Sequence, residues 1–403
     1  MKTLLIKKIF QFVLLFEILW GAHAWFTWSF DNSKLHKYIV FLFICFLTYL
    51  YQLTYKIKLS FSKKILISLF CFFLAYWHVS NYTIFSIVGC LFMLYPVWVL
   101  CSDKYNSKDH LDFVAKSLSI LIVLGILQYF FLQYYSLPSV VIQYGHKESY
   151  SFFNYGFNIV NIRVLYESFS RFNSVFLEPG YMSALLCFML YALNYDFHKR
   201  YIRILVYGLI LSFSLAGYIL FAVGFFFSQM QKKKAILFRI LCVISFVCAF
   251  AFVGENYNQG KNLVNERILT RLKYDEEKGL SGNNRTSDMT REYLLQGFFN
   301  GDVLWGLGQE RVQSINKSPD SNEIFSHDKI NGTGFEYYIV VYGLIPVFFY
   351  FLFYVYLGRY LTNNKKYAKG FIVMILLCFM QSSYPSSASW IYPFILGLKN
   401  SKY

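Results

Sequence analysis

The chain has 403 residues, of which 57% are hydrophobic and only 15% are charged, and its formal net charge is +16. A soluble globular protein of this size could not bury so many apolar side chains and cover itself with so few charged ones. The composition excludes the soluble, disordered, collagen-like and disulfide-rich secreted classes, and it indicates a multi-span membrane protein. Lys and Arg stand in short clusters between apolar runs, which is typical of cytoplasmic loops and argues against a nucleic-acid partner.

Apolar runs long enough to cross a bilayer, which takes about 20 helical residues, recur along the chain. The well-defined runs are Ile9–Phe30, Tyr38–Tyr55, Ile65–Val79, Tyr82–Cys101, Ser117–Tyr135, Phe176–Tyr195, Ala235–Val253 and Tyr337–Leu357. Two more stretches, Ile204–Ser228 and Phe371–Leu398, are long for one helix and short for two. Each is interrupted near its middle by small or helix-breaking residues.

The distribution of positive charge distinguishes hairpins from single crossings in these two stretches. With a cytoplasmic N-terminus and two hairpins, most Lys and Arg of the short loops lie on the cytoplasmic side, whereas single crossings divide them almost evenly. The positive-inside rule therefore favours the hairpins. The prediction is an all-α polytopic membrane protein with about 12 transmembrane helices, both termini cytoplasmic, and one long and one medium external loop.

The predicted organisation has five parts. They are spans 1–5 (residues 1–135), an external loop rich in aromatic residues and Arg (136–175), spans 6–9 with a short broken hairpin (176–253), a long external loop (254–334) and spans 10–12 (335–403). Near the N-terminus, Ala22-His23-Ala24 after an apolar run imitates the cleavage site of a signal peptide. Glu17 interrupts that run, and cleavage would remove the first span and leave an odd number of spans. A retained first helix is therefore expected.

The medium loop ends in a polar junction with the sixth span. Arg163 and Arg171 precede Glu178-Pro179 and Tyr181. A Pro in the first helical turn with an acid beside it fits a helix cap, because the helix dipole stabilises negative charge there. Glu178 also stands at a membrane boundary, where an ionisable group is costly unless it is paired or functional. Both interpretations stay open.

The long loop holds further polar candidates. Arg285 and Arg291 are candidates for binding phosphate, because a guanidinium donates two parallel hydrogen bonds to an oxyanion. They are six residues apart and would lie on roughly opposite faces of one helix. His327 is a candidate general base near neutral pH. No group of His, Asp and Glu has metal-ligand spacing and no nucleotide-binding motif occurs, so neither a metal nor a cofactor is predicted.

Four segments stand out in chain order. They are Arg171-Phe172-Asn173-Ser174 with Leu177-Glu178-Pro179-Gly180-Tyr181, then Ser212-Phe213-Ser214-Leu215-Ala216-Gly217, then Arg291 with Trp305-Gly306-Leu307-Gly308, and finally His327-Asp328 with Asn331 and Gly343-Leu344-Ile345-Pro346. In this order they resemble the O-antigen polymerases of the Wzy type, within the superfamily that includes the O-antigen ligases. His327 is followed by Asp, where the ligase-type pattern has Asn, and this difference favours the polymerase.

The resemblance implies a metal-independent, inverting glycosyltransferase without a cofactor. It would polymerise undecaprenyl-diphosphate-linked oligosaccharide repeat units on the periplasmic face of the bacterial inner membrane, with membrane lipid and a chain-length regulator as further partners. The residues that it assigns are Glu178, His327 and Arg291 for catalysis, and Arg171, Arg285, Arg163, Trp305 and Tyr181 for substrate binding. The arginines would bind the diphosphate, and Glu178 or His327 would be the base.

Two alternative functions share parts of this pattern. An O-antigen ligase has the same fold and donor but transfers the glycan to a lipid A–core acceptor. A lipid-linked oligosaccharide flippase is a transporter with short loops and charged residues within its spans, which the long loop 254–334 argues against. The repeat-unit sugars, and the choice between O-antigen and capsule as product, stay open.

Overall fold

The structure of the chain is a computed structural model. It describes residues 2–31, 34–58, 62–79, 94–102, 107–144, 151–162, 171–229, 252–262, 264–265, 269–270, 274–275, 279–280, 287–316, 330, 335–381 and 387–401. Most of the predicted spans Tyr82–Cys101 and Ala235–Val253 therefore lies outside the described residues.

The described part of the chain is mostly helical. Its helices are α1 (Lys2–Gly21), α2 (Trp28–Asp31), α3 (Lys34–Thr54), α4 (Lys63–Val79), α5 (94–101), α6 (Ser107–Tyr134), α7 (Pro179–Ala192), α8 (Arg200–Leu211), α9 (Leu215–Gln229), α10 (Asp288–Asn300), α11 (Asp302–Trp305), α12 (Gln309–Asn316), α13 (Phe335–Tyr342), α14 (Leu344–Leu361), α15 (Lys365–Gln381) and α16 (Ala388–Asn400). Short 3₁₀ helices occur at Trp25–Thr27 and at Tyr257–Gly260.

Three helices among the described residues are long and apolar enough to cross a membrane. They are α3 from Leu35 onward, α6 and α14. Many of their large apolar side chains are exposed, as expected for surfaces that face lipid rather than water; examples are Phe43, Phe46, Phe131 and Phe348. Helices α7, α8, α9 and α16 have 12 to 15 residues each, fewer than the about 20 that a perpendicular crossing takes. The chain is thus compatible with a membrane protein, and the number of spans stays a prediction.

Each of the two interrupted apolar stretches contains two helices, as the charge distribution predicts. In the first, α8 ends at Leu211, and the hydroxyl of the capping residue Ser212 donates to the carbonyl of Leu209 at 2.6 Å. Phe213 then adopts a left-handed φ of 45°, and the Ser214 hydroxyl accepts from the backbone N–H of Gly217 at the start of α9. In the second stretch, α15 and α16 are separated by residues 382–387.

Two predicted spans have different boundaries in the structure. The predicted span Tyr337–Leu357 is not one helix, because Gly343 has φ 91° and ψ 160° and separates α13 from α14. The predicted span Ile9–Phe30 also stops early: α1 ends at Gly21, and a turn and a short 3₁₀ helix follow. Hydropathy detects neither break, because the residues around both are apolar.

The expectation of an all-α protein is wrong for the medium loop, which forms a small antiparallel sheet. Its strands are β1 (Val140–Gln143), β2 (Ser151–Asn154) and β3 (Ile159–Asn161), in the order β1-β2-β3. Phe153 pairs with Val141 on one side and Val160 on the other. Aromatic and β-branched residues at these positions favour extended backbone. Two-residue strands β4 (Tyr274–Asp275) and β5 (Gly279–Leu280) pair in the long loop.

Helix α7 forms the centre of the packed core. Every side chain from Met182 to Ala192 is buried, and α7 packs against α8, α9, α15 and α16. A helix that is apolar on all faces is stable only when other helices surround it. Tyr191 and Tyr367 join α7 to α15 by two reciprocal bonds, in which each hydroxyl donates to the other residue's carbonyl, at 2.9 and 2.8 Å.

One end of the bundle, which we call the Glu178 end, is defined by contacts between the end of α1 and the segments before α7 and α16. Ala24 forms an isolated antiparallel bridge with Phe176. The Ser387 hydroxyl donates to the carbonyl of Gly21 at 2.7 Å. The backbone N–H of Phe172 donates to the last carbonyl of α8.

The opposite end, which we call the Lys399 end, gathers several lysines. Lys7 on α1 pairs with Asp109 on α6 at 2.5 Å. The buried Lys399 ammonium donates to the carbonyls of Leu100 and Ser102, at the C-terminal end of α5. The hydroxyls of Thr362 and Ser401 lie 2.8 Å apart, which places the end of α14 here and its beginning, with Gly343, toward the Glu178 end.

The crossing of α7 and α9 gives a test of this packing. A Cβ on Gly217 would lie 2.5 Å from Ser183 Cβ, whereas a Cβ on Gly180 would meet nothing within 4 Å. We expect Gly217→Ala to lower the stability by about 1–3 kcal/mol, because overpacking forces the helices apart. Gly180→Ala is the matched control and is expected to be neutral or slightly stabilising. Thermal unfolding of the detergent-purified variants measures both, and equal melting temperatures would contradict the crossing.

Candidate functional site

The segment after α1 is built into the protein beside the junction that precedes α7. The backbone N–H of Trp25 donates to the carbonyl of Val175, and that of Leu177 donates to the carbonyl of His23, at 2.9 and 3.0 Å. The Trp28 indole N–H donates to the same His23 carbonyl at 3.0 Å. The segment that imitates a cleavage site is therefore an integral part of the packed structure.

His23 lies among aromatic side chains from three parts of the chain, and we call His23, Tyr144, Tyr181 and Trp28 the junction cluster. The Tyr144 hydroxyl and His23 Nδ1 lie 3.2 Å apart, in a hydrogen bond whose direction depends on the imidazole tautomer. The ring centroids of His23 and Tyr181 are 4.9 Å apart, and those of Trp28 and Tyr144 are 5.1 Å apart. The cluster thus connects the α1 turn, the medium loop and the first turn of α7.

Burial keeps the His23 imidazole neutral. The loss of solvation lowers its pKa to about 4, and the positive charge of Lys37 contributes to the same shift. A neutral imidazole has one donor and one acceptor nitrogen, so its bond with Tyr144 can be satisfied in either direction. At neutral pH His23 is thus suited to hold Tyr144 in place.

Glu178 is the residue before the first turn of α7. Its backbone is extended, with φ −141° and ψ 151°, and Pro179 begins the helix. Its side chain is exposed and makes no capping hydrogen bond. The structure therefore confirms the cap position that the Glu-Pro pair predicts, but the carboxylate does not act as the cap. Tyr181, a member of the junction cluster, follows three residues later in the first turn of α7.

Arg171 lies at the other end of the same junction. Its side chain is half-buried, and the next residue, Phe172, is fully buried. Because the Phe172 N–H donates to the carbonyl of Leu211, the Arg171 segment contacts the turn between α8 and α9. The first two sequence motifs are therefore neighbours at the Glu178 end.

Arg291 is held by a well-capped helix of the long loop. The Ser287 hydroxyl accepts from the backbone N–H of Thr290 at 3.2 Å and caps α10, which satisfies a donor that the helix leaves unpaired. One turn into α10, Arg291 Nε donates to Glu336 Oε2 on α13 at 3.4 Å. Both side chains are about a third exposed or more, so solvent screening keeps this pair weak.

The glycines of the third and fourth motifs lie in direct backbone contact. Gly306 has φ 75° and Gly343 has φ 91°. A Cβ on Gly306 would lie 2.5 Å from the backbone nitrogen of Gly343, and a Cβ on Gly343 would lie 2.5 Å from the carbonyl carbon of Trp305. Leu307 and Gly308 then donate backbone hydrogen bonds to the last turn of α13. Only glycine permits both this conformation and this approach.

The structure therefore unites the predicted residues in two groups at one end of the bundle. The first holds Arg171, Glu178 and Tyr181, and the second holds Arg291 and Trp305. Helix α15 connects the two parts of the fold, because its first turn contacts α7 at Tyr191 and its last turns contact α13 at Tyr338. The other predicted site residues, Arg163, Arg285 and His327, lie outside the described residues.

Sequence reasoning assigned no role in the site to His23. The sequence around His23 is ambiguous, because a lone His between two Ala residues after an apolar run also fits the cleavage site of a signal peptide. Glu336 carries no sequence motif and stands at the beginning of an apolar run. Its pairing with Arg291, 45 residues away in the chain, is a tertiary contact that local patterns do not encode.

No family model, no curated protein and no solved structure matches the chain. Within the residues that the structure describes, no three His, Cys, Asp or Glu side chains are grouped so that they could hold a metal ion. The chemistry of the site must therefore be argued from the two groups themselves.

The buried His23 predicts a loss of stability in acid. Its unfolded pKa is near 6.5 and its folded pKa is about 4, so the unfolded state binds the proton more tightly. The contribution of His23 to stability is present above pH 6.5 and is lost as the pH falls from there to about 4. We expect His23→Asn, which tolerates the φ of 56° at this position, to reduce the fall in melting temperature over this range.

The control for this measurement is His198→Asn, at an exposed position between α7 and α8. This variant should keep the acid-induced fall of the unsubstituted protein. An identical fall in all three proteins would contradict the burial of a neutral His23.

Proposed function

We propose that the chain polymerises undecaprenyl-diphosphate-linked oligosaccharide repeat units into O-antigen or a similar surface polysaccharide. The observation that carries this proposal is the pairing of the four sequence motifs at the Glu178 end. The first motif contacts the second through Phe172 and Leu211. The third contacts the fourth through Gly306 and Gly343. Two such pairs, each joining segments far apart in the chain and both lying toward the same end of the bundle, favour a shared site.

The charges of the two ends support an orientation for the proposed enzyme. Lys7, Lys199 and Lys399 lie at the Lys399 end, each in contact with a carboxylate or with backbone carbonyls. By the positive-inside rule this end faces the cytoplasm. The Glu178 end then faces the periplasm of a bacterial inner-membrane protein with about 12 spans, where lipid-linked repeat units are joined.

Arg291 is suited to bind the diphosphate of the donor. Its side chain is about a third exposed and stands on a capped helix, and its long contact with Glu336 is weak enough for a more strongly charged anion to replace. A diphosphate gains negative charge as it leaves, and a positioned guanidinium stabilises that charge without a metal. We assign Arg171, Arg285 and Arg163 to the same role of binding the diphosphate.

Of the two candidate bases, Glu178 lies within the described residues, and His327 is the alternative. Its exposed carboxylate stands at the N-terminus of α7, where the helix dipole stabilises the ionised form that accepts a proton. In the proposed reaction the acceptor hydroxyl gives its proton to this carboxylate, and its oxygen forms the new bond to the anomeric carbon. The bond from that carbon to the diphosphate breaks, and inversion results. Tyr181 offers a ring face to the sugars.

The two rival functions differ in what they require of the Glu178 end. A ligase uses the same donor site with another acceptor, and nothing in the described residues separates it from a polymerase. A flippase needs a path through the bundle and no folded loop. Helices α10 to α12, which pack on α13 and on the beginning of α14, favour an enzyme over a flippase.

The proposed role of Arg291 is tested by Arg291→Lys in a host that lacks its own copy of the gene. Lys keeps a positive charge beside Glu336 but cannot form two parallel bonds to a phosphate. Since one positioned donor is worth about 10²–10³-fold in rate, we expect the polysaccharide ladder to shorten toward core plus a single repeat unit. Arg311→Lys, an exposed arginine on α12, is the matched control and should leave the ladder unchanged.

Both proteins must be present in the membrane at equal amounts, which an immunoblot measures. A full-length ladder with Arg291→Lys would remove Arg291 from the site. A core without any repeat unit, together with accumulated lipid-linked polymer, would identify a ligase instead.

A further inference from the structure

Helix α10 of the long loop has three distinct faces, whereas a helix on a soluble domain needs only two. One face is packed on the protein and contains the buried Thr290 and Gly297. A second, polar face is exposed and contains Glu292, Gln296 and Asn300, at intervals of four residues. Side chains three or four residues apart lie along one side of a helix, so the polar residues form a continuous stripe.

The third face of α10 is apolar and exposed. Leu295, Phe298 and Phe299 have exposed fractions of 61%, 60% and 89%. Phe298 and Phe299 follow Leu295 by three and four residues, which places them beside it on the helix surface. An apolar face of this kind is stabilised by removal from water, because burial of large apolar side chains is favourable.

The next helix adds two exposed apolar side chains. On α11, Leu304 and Trp305 have exposed fractions of 46% and 58%. Together with Leu295, Phe298 and Phe299 they form what we call the aromatic patch. An exposed apolar surface of this kind in a stable protein marks a contact with a partner or a membrane.

The position of the aromatic patch indicates what covers it. Trp305 and Gly306 lie against Gly343, the residue directly before α14. Helix α14 is one of the three helices able to span a membrane, and Leu344 and Phe348 in its first turns are exposed. The aromatic patch is therefore continuous with a surface that faces lipid, at the level where that surface begins.

We propose that α10 and α11 lie on the surface of the lipid bilayer at the Glu178 end and insert the aromatic patch among the acyl chains. The polar stripe then faces water and headgroups, and the buried face stays on α13. Trp is favoured at this depth, because its ring is apolar and its N–H can bond to water or headgroups.

This placement has a consequence for Arg291, which precedes Leu295 by one helical turn. Residues four apart lie on the same side of a helix, so the Arg291 stem lies beside Leu295, and the length of its side chain lets the guanidinium reach the level of the lipid phosphates. That is the level at which the diphosphate of a lipid-linked donor would sit, a consequence that rests on the proposed function. The membrane contact itself is independent of any activity.

The test compares neighbouring positions on α10 in single-cysteine substitutions. Phe299→Cys and Asn300→Cys are each labelled with a nitroxide in full-length protein, reconstituted in nanodiscs of phosphatidylcholine and phosphatidylglycerol. We expect the label at 299 to collide more often with oxygen, which concentrates in lipid, than with an aqueous nickel chelate. The label at 300 should show the reverse. Labelled unsubstituted protein gives the background from native cysteines.

Both side chains are exposed, so neither substitution removes a core contact, and Phe298→Cys provides a second lipid-facing position. Equal exposure to the nickel chelate at 299 and 300 would overturn the proposal, because the patch would then face water. Protection of position 299 from both reagents would also overturn it, because a protein partner or a second copy of the chain would then cover the patch. These outcomes are independent of polymerase activity, which the nitroxide does not report.

Discussion

The enclosure of α7 is the constraint on which the rest of the structure depends. Because its side chains from Met182 to Ala192 are all buried, other helices must surround it on all sides. The short turns that connect these helices then lie at the two ends of the bundle. The N-terminal turn of α7 carries Glu178-Pro179 to one of those ends. The location of that carboxylate is thus set by apolar packing far from it, and the His23 turn, anchored by the Ala24–Phe176 bridge, fixes its surroundings.

The second group is positioned by backbone contacts rather than by side chains. Gly306 and Gly343 approach so closely that no Cβ fits, and this contact ties α10 and α11 to the beginning of α14. Two consequences follow from one contact. Arg291 is held beside Glu336 at the Glu178 end, and the aromatic patch is held at the level where a lipid-facing helix begins. The proposed enzyme and the proposed membrane contact therefore share a structural cause but predict separate observations.

Composition and charge predict a good part of this fold, because they depend on residue type alone. The helical character, the compatibility with a membrane and the presence of two helices in each interrupted stretch follow from hydropathy and from the positions of Lys and Arg. The break at Gly343 does not follow from hydropathy or charge. Its positive φ depends on the close approach of the Trp305–Gly306 backbone, which is a tertiary contact. The sheet in the medium loop was missed because its strands are only three or four residues long. In the candidate site, Glu178 and Arg291 are predictable from the sequence because their ionisable side chains suit proton transfer and phosphate binding. The role of His23 depends on its burial, which only the packed structure reveals.

The central claim is that this chain elongates a lipid-linked glycan, and the most direct measurement is deletion of its gene in the host with electrophoresis of the surface polysaccharide. The account predicts that the ladder collapses to core plus one repeat unit, because transfer to the core continues without elongation, and that the intact gene restores it. An unchanged ladder with an intact capsule would contradict the account. Loss of all repeat units from the core, with single units trapped on the inner face, would also contradict it and would indicate a flippase.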